Sequence, residues 1–337
     1  MNFKVDFKNE KEKRAMKDVF GGVVAKLGED PKFVYLDADL MSSIGTKKWA
    51  DAHPNQAYNV GVSEANLAGM AAGLSAAGLK PLAHTFGPFA SRRCYDQVFL
   101  SIAYSKNDVV MVGSDAGVTA AFNGGTHMPF EDMALYRAIP HATVVDVTDS
   151  AMLESVLPKL MDMKGLKYIR LGRKEVLGVY EAGADFDIGK AALVKDGTDV
   201  AIIASGIMVA EALKAAATLE AEGVSALVID MFTVKPIDAD AVIAAAQKTG
   251  AIVTAENHNV IGGLGSAVAD VLVKNTPVPM EMVGVQDEFG QVGPQDFLQK
   301  YYGLTADVIV EKVKAVLERK AVLQMKDKPD KNKDWAY

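Results

Sequence analysis

An α/β protein of two doubly wound domains is what this sequence predicts, and three observations predict it. Short β-rich apolar runs alternate with helix-patterned segments. That alternation appears twice, on either side of a Gly-rich stretch at 176–190 with no clean period. The length of 337 residues suits two domains, each large enough to bury its own core. The expected boundaries are 1–180, 187–322 and a charged tail at 323–337.

Taken in order, 11–27 reads as an amphipathic helix that stops near Gly28, and FVYLDADL (33–40) as a strand ending in acidic residues. Ala, Leu and Met recur at helical spacing over 62–77, with Gly78 as a stop. KPLAHTF (80–86) predicts a strand, 89–104 a helix, and DVVMVGSD (108–115) a strand. A Gly-rich loop (123–126) leads to a helix at about 130–138. The strand ATVVDVTD (142–149) is followed by Asp149 or Ser150 as helix cap, and KYIRLG (167–172) closes the series. The second series has strands at 199–206, 225–232, 251–257 and 278–285. Strands buried on both faces imply parallel sheets, and open parallel sheets bind ligands at the carboxyl ends of their strands. Asp39, Phe86, Asp115 and Arg173 stand just after strands.

Composition narrows the function. Half the residues are apolar and 23% charged, the profile of a soluble globular protein. A net charge of −7 argues against a dedicated nucleic-acid binder. The single cysteine, Cys94, excludes an intrachain disulfide and a cysteine metal cluster, and fits a reducing, cytoplasmic setting. No secretory signal and no membrane-length apolar run is expected. The end, with Pro329, Trp335 and Tyr337, reads as a solvated tail.

Five histidines are present, without an HExxH pair or a GxSxG serine, so metal-hydrolase and serine-hydrolase readings are weak. His53 and His141 read as structural; His84, His127 and His258 lie at strand ends or Gly-rich loops. GGLG (262–265) fits a tight turn opening a helix better than a dinucleotide fingerprint. Glu64 opens a helix of small apolar residues. Its carboxylate reads either as a partner of the helix dipole or as a partly buried group bonded to a heterocycle.

GVSEANLAGMAAGL followed by AHTFGPFASRRCYDQV resembles the pyrimidine-binding domain of the transketolase family. IDMFTVKPID, AENHNVIGGLGSAVAD and DEFGQVGPQDFLQKYYGL resemble its C-terminal domain. The resemblance implies that Glu64 contacts the aminopyrimidine N1′ of thiamine diphosphate and promotes the tautomer that activates the thiazolium. It implies that Phe86 and Phe89 flank that ring. His127, in NGGTHMP, would meet the donor's hydroxyl groups, and Arg173, in YIRLGR, would grip the sugar phosphate. Asp39 and Ser43, in ADLMSS, would stand at the cofactor and substrate mouth; Arg93 matches an RxYDQ stretch and is placed with the substrate residues.

The family's diphosphate is held through a divalent metal by a domain with a GDG segment and paired asparagines. This sequence contains no GDG. The resemblance therefore implies a split enzyme: Mg²⁺ or Ca²⁺ held mainly by a separate partner chain carrying the diphosphate-binding domain, and a heterotetramer with two copies of each. No metal is assigned to this chain's own residues. Asp115 stands where the family usually has His, and Phe122-Asn123 where it has Glu-Asp. An unpaired Asp115 would repel a phosphate, and Asn123 reads a hydroxyl without charge. The expected sugar is therefore non-standard, for instance apiose-derived or sulfonated. Four rivals stay open: a 2-oxoacid dehydrogenase beta subunit, a deoxyxylulose-phosphate synthase, which normally carries all its domains in one chain, a catalytically silent structural or regulatory subunit, and a metabolite-binding α/β protein without thiamine.

Overall fold

The structure is a computed structural model and describes residues 1–326. Among the described residues twelve strands form two sheets: β1 (Phe33–Asp37), β2 (Ala57–Asn59), β3 (Lys80–Phe86), β4 (Val109–Ser114), β5 (Thr143–Asp146), β6 (Leu166–Leu171), β7 (Ala192–Lys195), β8 (Val200–Ala204), β9 (Ala226–Asp230), β10 (Thr233–Lys235), β11 (Ile252–Asn259) and β12 (Met280–Val285). The first sheet has the order β10-β5-β6-β4-β3-β1-β2 and the second β12-β11-β8-β9-β7. Pairing is parallel except at two edges, where β10 lies antiparallel to β5 and β7 antiparallel to β9. Strands such as Val109–Ser114 and Val200–Ala204 are buried at every position, as a sheet covered on both faces requires.

Several elements differ from the sequence reading. The first helix begins at Met16, not at 11. Upstream, Phe3, Val5 and Phe7 alternate, a strand-like period, and the chain bridges to Leu177, Tyr180 and Asp185. The helix expected over 89–104 is broken into Gly87–Ala90, Tyr95–Gln97 and a π-helix Val98–Tyr104. The irregular turn between the first two pieces carries Arg93. The last helix runs Ala306–Lys326, past the expected domain end at 322, because ERKAVLQMK contains no Gly or Pro to stop it. Trp335 and Tyr337 lie outside the described residues. Among the described residues no helix is long and apolar enough to cross a membrane.

Other local readings match. Asp149 caps the helix Ser150–Asp162 by accepting from the Met152 N–H at 3.0 Å. Gly262 (φ 80) makes the turn before the helix Leu264–Lys274, whose first N–H groups, Leu264 and Gly265, donate to buried Glu256 at 2.6 and 2.8 Å.

The two sheets meet through buried polar groups as well as apolar packing. Asp230, at the end of β9, accepts from Thr148 Oγ1 at 2.6 Å and Tyr180 Oη at 2.8 Å. Ser205 donates to Asp146 at 2.8 Å. Arg170, fully buried, pairs with Asp132 at 3.0 Å and donates to the Asn257 carbonyl at 3.1 Å. Burial pushes the Asp230 carboxyl up to about 8 against the two hydroxyl donors. An unfolded aspartate loses its proton near about 3.9. The folded state therefore holds a proton that the unfolded state releases, and this group's stabilising contribution is lost as pH rises from about 4 through about 8. Asp230→Asn, neutral throughout, is expected to raise the melting temperature relative to wild type more at pH 8.5 than at pH 5. Thermal melts at both pH values check this, and an equal offset at both would refute it.

Candidate active site

Glu64 begins the helix Glu64–Ala76 and is 2% exposed. Its N-terminal position complements the helix dipole, and three hydrogen bonds satisfy the carboxylate further. Arg93 Nη1 reaches both oxygens at 3.0 Å, and Thr85 Oγ1, at the end of β3, donates to Oε1 at 3.3 Å. The Arg93 guanidinium also lies on the Phe89 ring, 3.6 Å from its centroid. A flat, hydrogen-bonding cation thus fills a slot with a carboxylate at one end and an aromatic face for a wall. The broken helix at 91–94 turns Arg93 toward Glu64 to do this.

The aromatic wall continues. Phe86 and Phe89 are 6.3 Å apart, and the His127 ring meets them edge-on at 5.6 and 5.1 Å. His127 ends the 3₁₀ turn Gly125–His127, and its Nδ1 hydrogen-bonds Thr126 Oγ1 at 2.8 Å. Burial holds the imidazole below its usual range; Asp115 opposes that, and Arg93, Arg173 and Arg92 add to it. His127 is therefore neutral near pH 7, able to donate at one nitrogen and accept at the other.

Beyond Phe86 lies Arg173, 4.9 Å from that ring. Its Nε and Nη2 both donate to Asp115 at 2.7 Å, and Asn123 Nδ2 donates to the same carboxylate at 3.0 Å. Glu64, Phe86, Phe89, Arg93, His127, Arg173, Asp115 and Asn123 thus form one connected cluster, gathered at the carboxyl ends of β3, β4 and β6. Arg93 sits at the Glu64 end of it, not beside Arg173. Asp39 and Ser43 are not tied to it by these contacts. Asp39 accepts from Asn59 at 2.8 Å and lines a separate cavity of about 330 Å³ with Met41, Ser42 and Lys47. A larger cavity of about 1000 Å³, between Lys174, Gly206 and Pro294, contains none of Glu64, Phe86, Phe89 or His127.

His84 and His258 are structural. His84 is fully buried between Asp37 (2.7 Å) and Ser114 (2.9 Å), joining β1, β3 and β4; His258 is fully buried beside Asp132 and Glu256. Burial lowers His258 to about 4.

Two supporting residues escaped the sequence reading. One is Thr85. The other is Asn257 of β11, which brackets the start of the 115–127 loop: its Nδ2 donates to the Ala116 carbonyl at 2.8 Å and its Oδ1 accepts from Val118 N–H at 2.9 Å. Farther along, a Cβ on Gly125 would stand 2.1 Å from the Gly290 carbonyl oxygen, so the His127 turn rests directly on backbone of the second domain. The AENHN run was the available signal for Asn257, but nothing local in it points to a loop about 140 residues upstream.

The slot suits an aminopyrimidine: the ring is flat like the guanidinium now there, and when it carries a proton on its ring nitrogen it donates to the carboxylate as Arg93 does. Among the described residues no group of three or more His, Cys, Asp or Glu side chains is arranged to hold a metal.

Comparison with known proteins gives the family. The transketolase pyrimidine-binding domain matches residues 12–177 and the transketolase C-terminal domain residues 189–309. The chain is 50% identical over 292 residues to a 6-deoxy-6-sulfo-D-fructose transketolase subunit of Clostridium sp. (strain MSTE9), covering 87% of this chain and 91% of that one. It is 34% identical to an apulose-4-phosphate transketolase subunit of Phocaeicola vulgatus, covering 83% and 90%. A solved split-gene transketolase, described as an inactive beta4 tetramer, superposes with a TM-score of 0.84 at 43% identity, covering 91% of this chain and 99% of that one. With both domains matched in order along most of its length, the chain belongs to the transketolase family.

Proposed function

We propose that this chain is one subunit of a two-chain transketolase that moves a two-carbon ketol unit from a ketose to an aldose. The observation that carries this is Glu64, a buried carboxylate at the end of an aromatic-walled slot, in a chain matching two transketolase domains. Thiamine diphosphate, when bound, supplies the nucleophilic carbon and electron sink of the reaction. Glu64 holds the aminopyrimidine end by hydrogen bond, and Phe86 and Phe89 fix its plane. Arg93 gives up its place on Glu64 to admit the ring. His127, neutral, accepts or donates a proton at the sugar's hydroxyl groups, and Arg173 orients the far end of the sugar.

The diphosphate and its Mg²⁺ fall to a partner chain in this reading. Two relatives of nearly the same length are described as subunits, and a third as a split-gene product that is inactive as a beta4 tetramer. The face beside Glu64 has room for such a chain: Val62 is 73% exposed, and Ala65, Gly69 and Gly73 leave the Glu64–Ala76 helix open to close backbone approach. A heterotetramer with two copies of each chain follows from pairing two such sites. The sugar is non-standard, as the relatives named for sulfofructose and apulose phosphate suggest and as Asp115 and Asn123 favour.

The purified chain is expected to show no ketol transfer alone and to gain it with the partner, thiamine diphosphate and Mg²⁺. In that complex, Glu64→Ala is expected to lose activity by on the order of a hundredfold or more. Robust turnover by the single chain would sink the split reading. An unchanged rate in the Glu64→Ala complex would instead favour a silent subunit, and strict dependence on lipoamide would favour a 2-oxoacid dehydrogenase. Gly125→Ala offers a separate check on how His127 is held. The new methyl cannot fit against Gly290, so the turn must shift. A shift near 1 Å at a catalytic group costs about a hundredfold. Steady-state rates like those of His127→Ala, with an unchanged circular dichroism spectrum, are the expected result.

A further inference from the structure

Arg173 carries the task of reading the substrate's far end, but its charge is already answered. Asp115 is 1% exposed, and its backbone is in the left-handed region at φ 62, which aspartate tolerates better than most residues. Its Oδ1 accepts from Arg173 Nε and its Oδ2 from Arg173 Nη2, both at 2.7 Å. This double fork is the strong guanidinium–carboxylate geometry. Asn123 Nδ2 adds a third bond to the carboxylate at 3.0 Å. Among the described residues no hydrogen bond engages Nη1 of Arg173. The guanidinium therefore keeps N–H donors to offer, while the pair as a whole carries no net charge.

We infer that Asp115 sets the charge class of the group that Arg173 reads: the site takes a sugar ending in a sulfonate monoanion and discriminates against a phosphate dianion. The inference rests on the proposed reading of Arg173 as a substrate-binding residue. The physical reason is proportionality. A buried carboxylate beside the ligand repels each unit of negative charge, and water does little to screen it there. A phosphate monoester carries about −1.5 to −2 near pH 7, with its second proton leaving near pH 6. A sulfonate presents three acceptor oxygens with a single charge at any physiological pH. Both can use the open donors of Arg173, but the phosphate's second charge meets a pair with no net charge to offset the larger desolvation of a dianion. A terminal hydroxyl escapes repulsion and forgoes most of the attraction. Asp115 is thus a specificity-determining residue.

The test uses the complete complex, with its partner chain, thiamine diphosphate and Mg²⁺. The probes are three hexitols of one configuration, ending in sulfonate, phosphate or hydroxyl. They lack the carbonyl and cannot react, so calorimetry reads binding alone. At pH 7.5 the wild-type complex is expected to bind the sulfonate at least about tenfold more tightly than the phosphate. Asp115→Asn, which suits the same backbone conformation, is expected to reduce that preference to about threefold or to reverse it. Its effect on the hydroxyl compound should be small. Lowering the pH to 5.5 protonates the phosphate and should narrow the wild-type preference. Arg92 and Arg93 attract the dianion more strongly than the monoanion, but they are common to wild type and Asp115→Asn, so the change in the ratio isolates Asp115. The wild-type pH arm decides the matter if the variant misfolds.

The inference is overturned if wild type binds phosphate as tightly as sulfonate, if none of the three binds, or if a folded Asp115→Asn complex keeps the full preference. If the hexitols rank as stated but the complex turns over no ketose, the assignment to Asp115 stands and the ketol-transfer reading falls.

Discussion

The site depends on what a carboxylate requires once it leaves water. Glu64, at 2% exposure, has no solvent shell, and an ionised group in that position is costly unless charge and hydrogen bonds replace the water. The helix N-terminus supplies partial positive charge, Thr85 one donor and Arg93 a full cation. The first two are fixed by the fold; the third sits on a long side chain whose turn interrupts a helix. The slot therefore exists because the carboxylate must be answered. Whatever answers it must be flat enough to lie on Phe89 and able to donate a hydrogen bond.

Among the described residues the second domain contributes no side chain to the cluster, yet the cluster depends on it. Asp115, Asn123 and His127 all belong to one stretch with little regular structure of its own, marked by positive φ at Asp115, Gly117, Ala121 and Gly124. Such a segment would be mobile if left to its own hydrogen bonds. Asn257 holds its beginning through two backbone contacts, and Gly290 closes on its end at Gly125. β10 fastens the domains from the other side by extending the first sheet. The second domain thus acts as a mould for the 115–127 loop.

Much of this was legible in the sequence, for identifiable reasons. Central strands such as Val109–Ser114 are buried on both faces, so they appear as unbroken apolar runs. β2, β7 and β10 were missed because three or four residues at a sheet edge carry no period to detect. Glu64, Phe86, Phe89, His127 and Arg173 belong to motifs whose local spacing survives folding, and the structure gathers them. Arg93 was grouped with the substrate residues, because nothing in RxYDQ reveals that the helix breaks and turns the side chain toward Glu64. Asp39 suited the rule that ligands sit after strands, yet its partner is Asn59 on the edge strand beside it. Thr85 and Asn257 were invisible because their roles come from contacts distant in sequence.

The same constraint operates at both ends of the cluster and produces opposite behaviours. At one end Glu64 is buried, but its cation is not: Arg93 is 44% exposed, and a single nitrogen serves both oxygens. One rotation of an exposed side chain frees that carboxylate, and a ligand offering an equivalent donor and a flat face restores what was lost. At the other end Arg173 is 22% exposed and grips Asp115 through two nitrogens, with Asn123 on the same carboxylate. Breaking that arrangement strands a buried charge with no replacement at hand. The first pair is built to be exchanged and the second to persist. In the proposed reading, the arginine at the Glu64 end yields its place to the cofactor, while the arginine at the far end stays as part of the wall, its charge already answered by Asp115 when a substrate arrives.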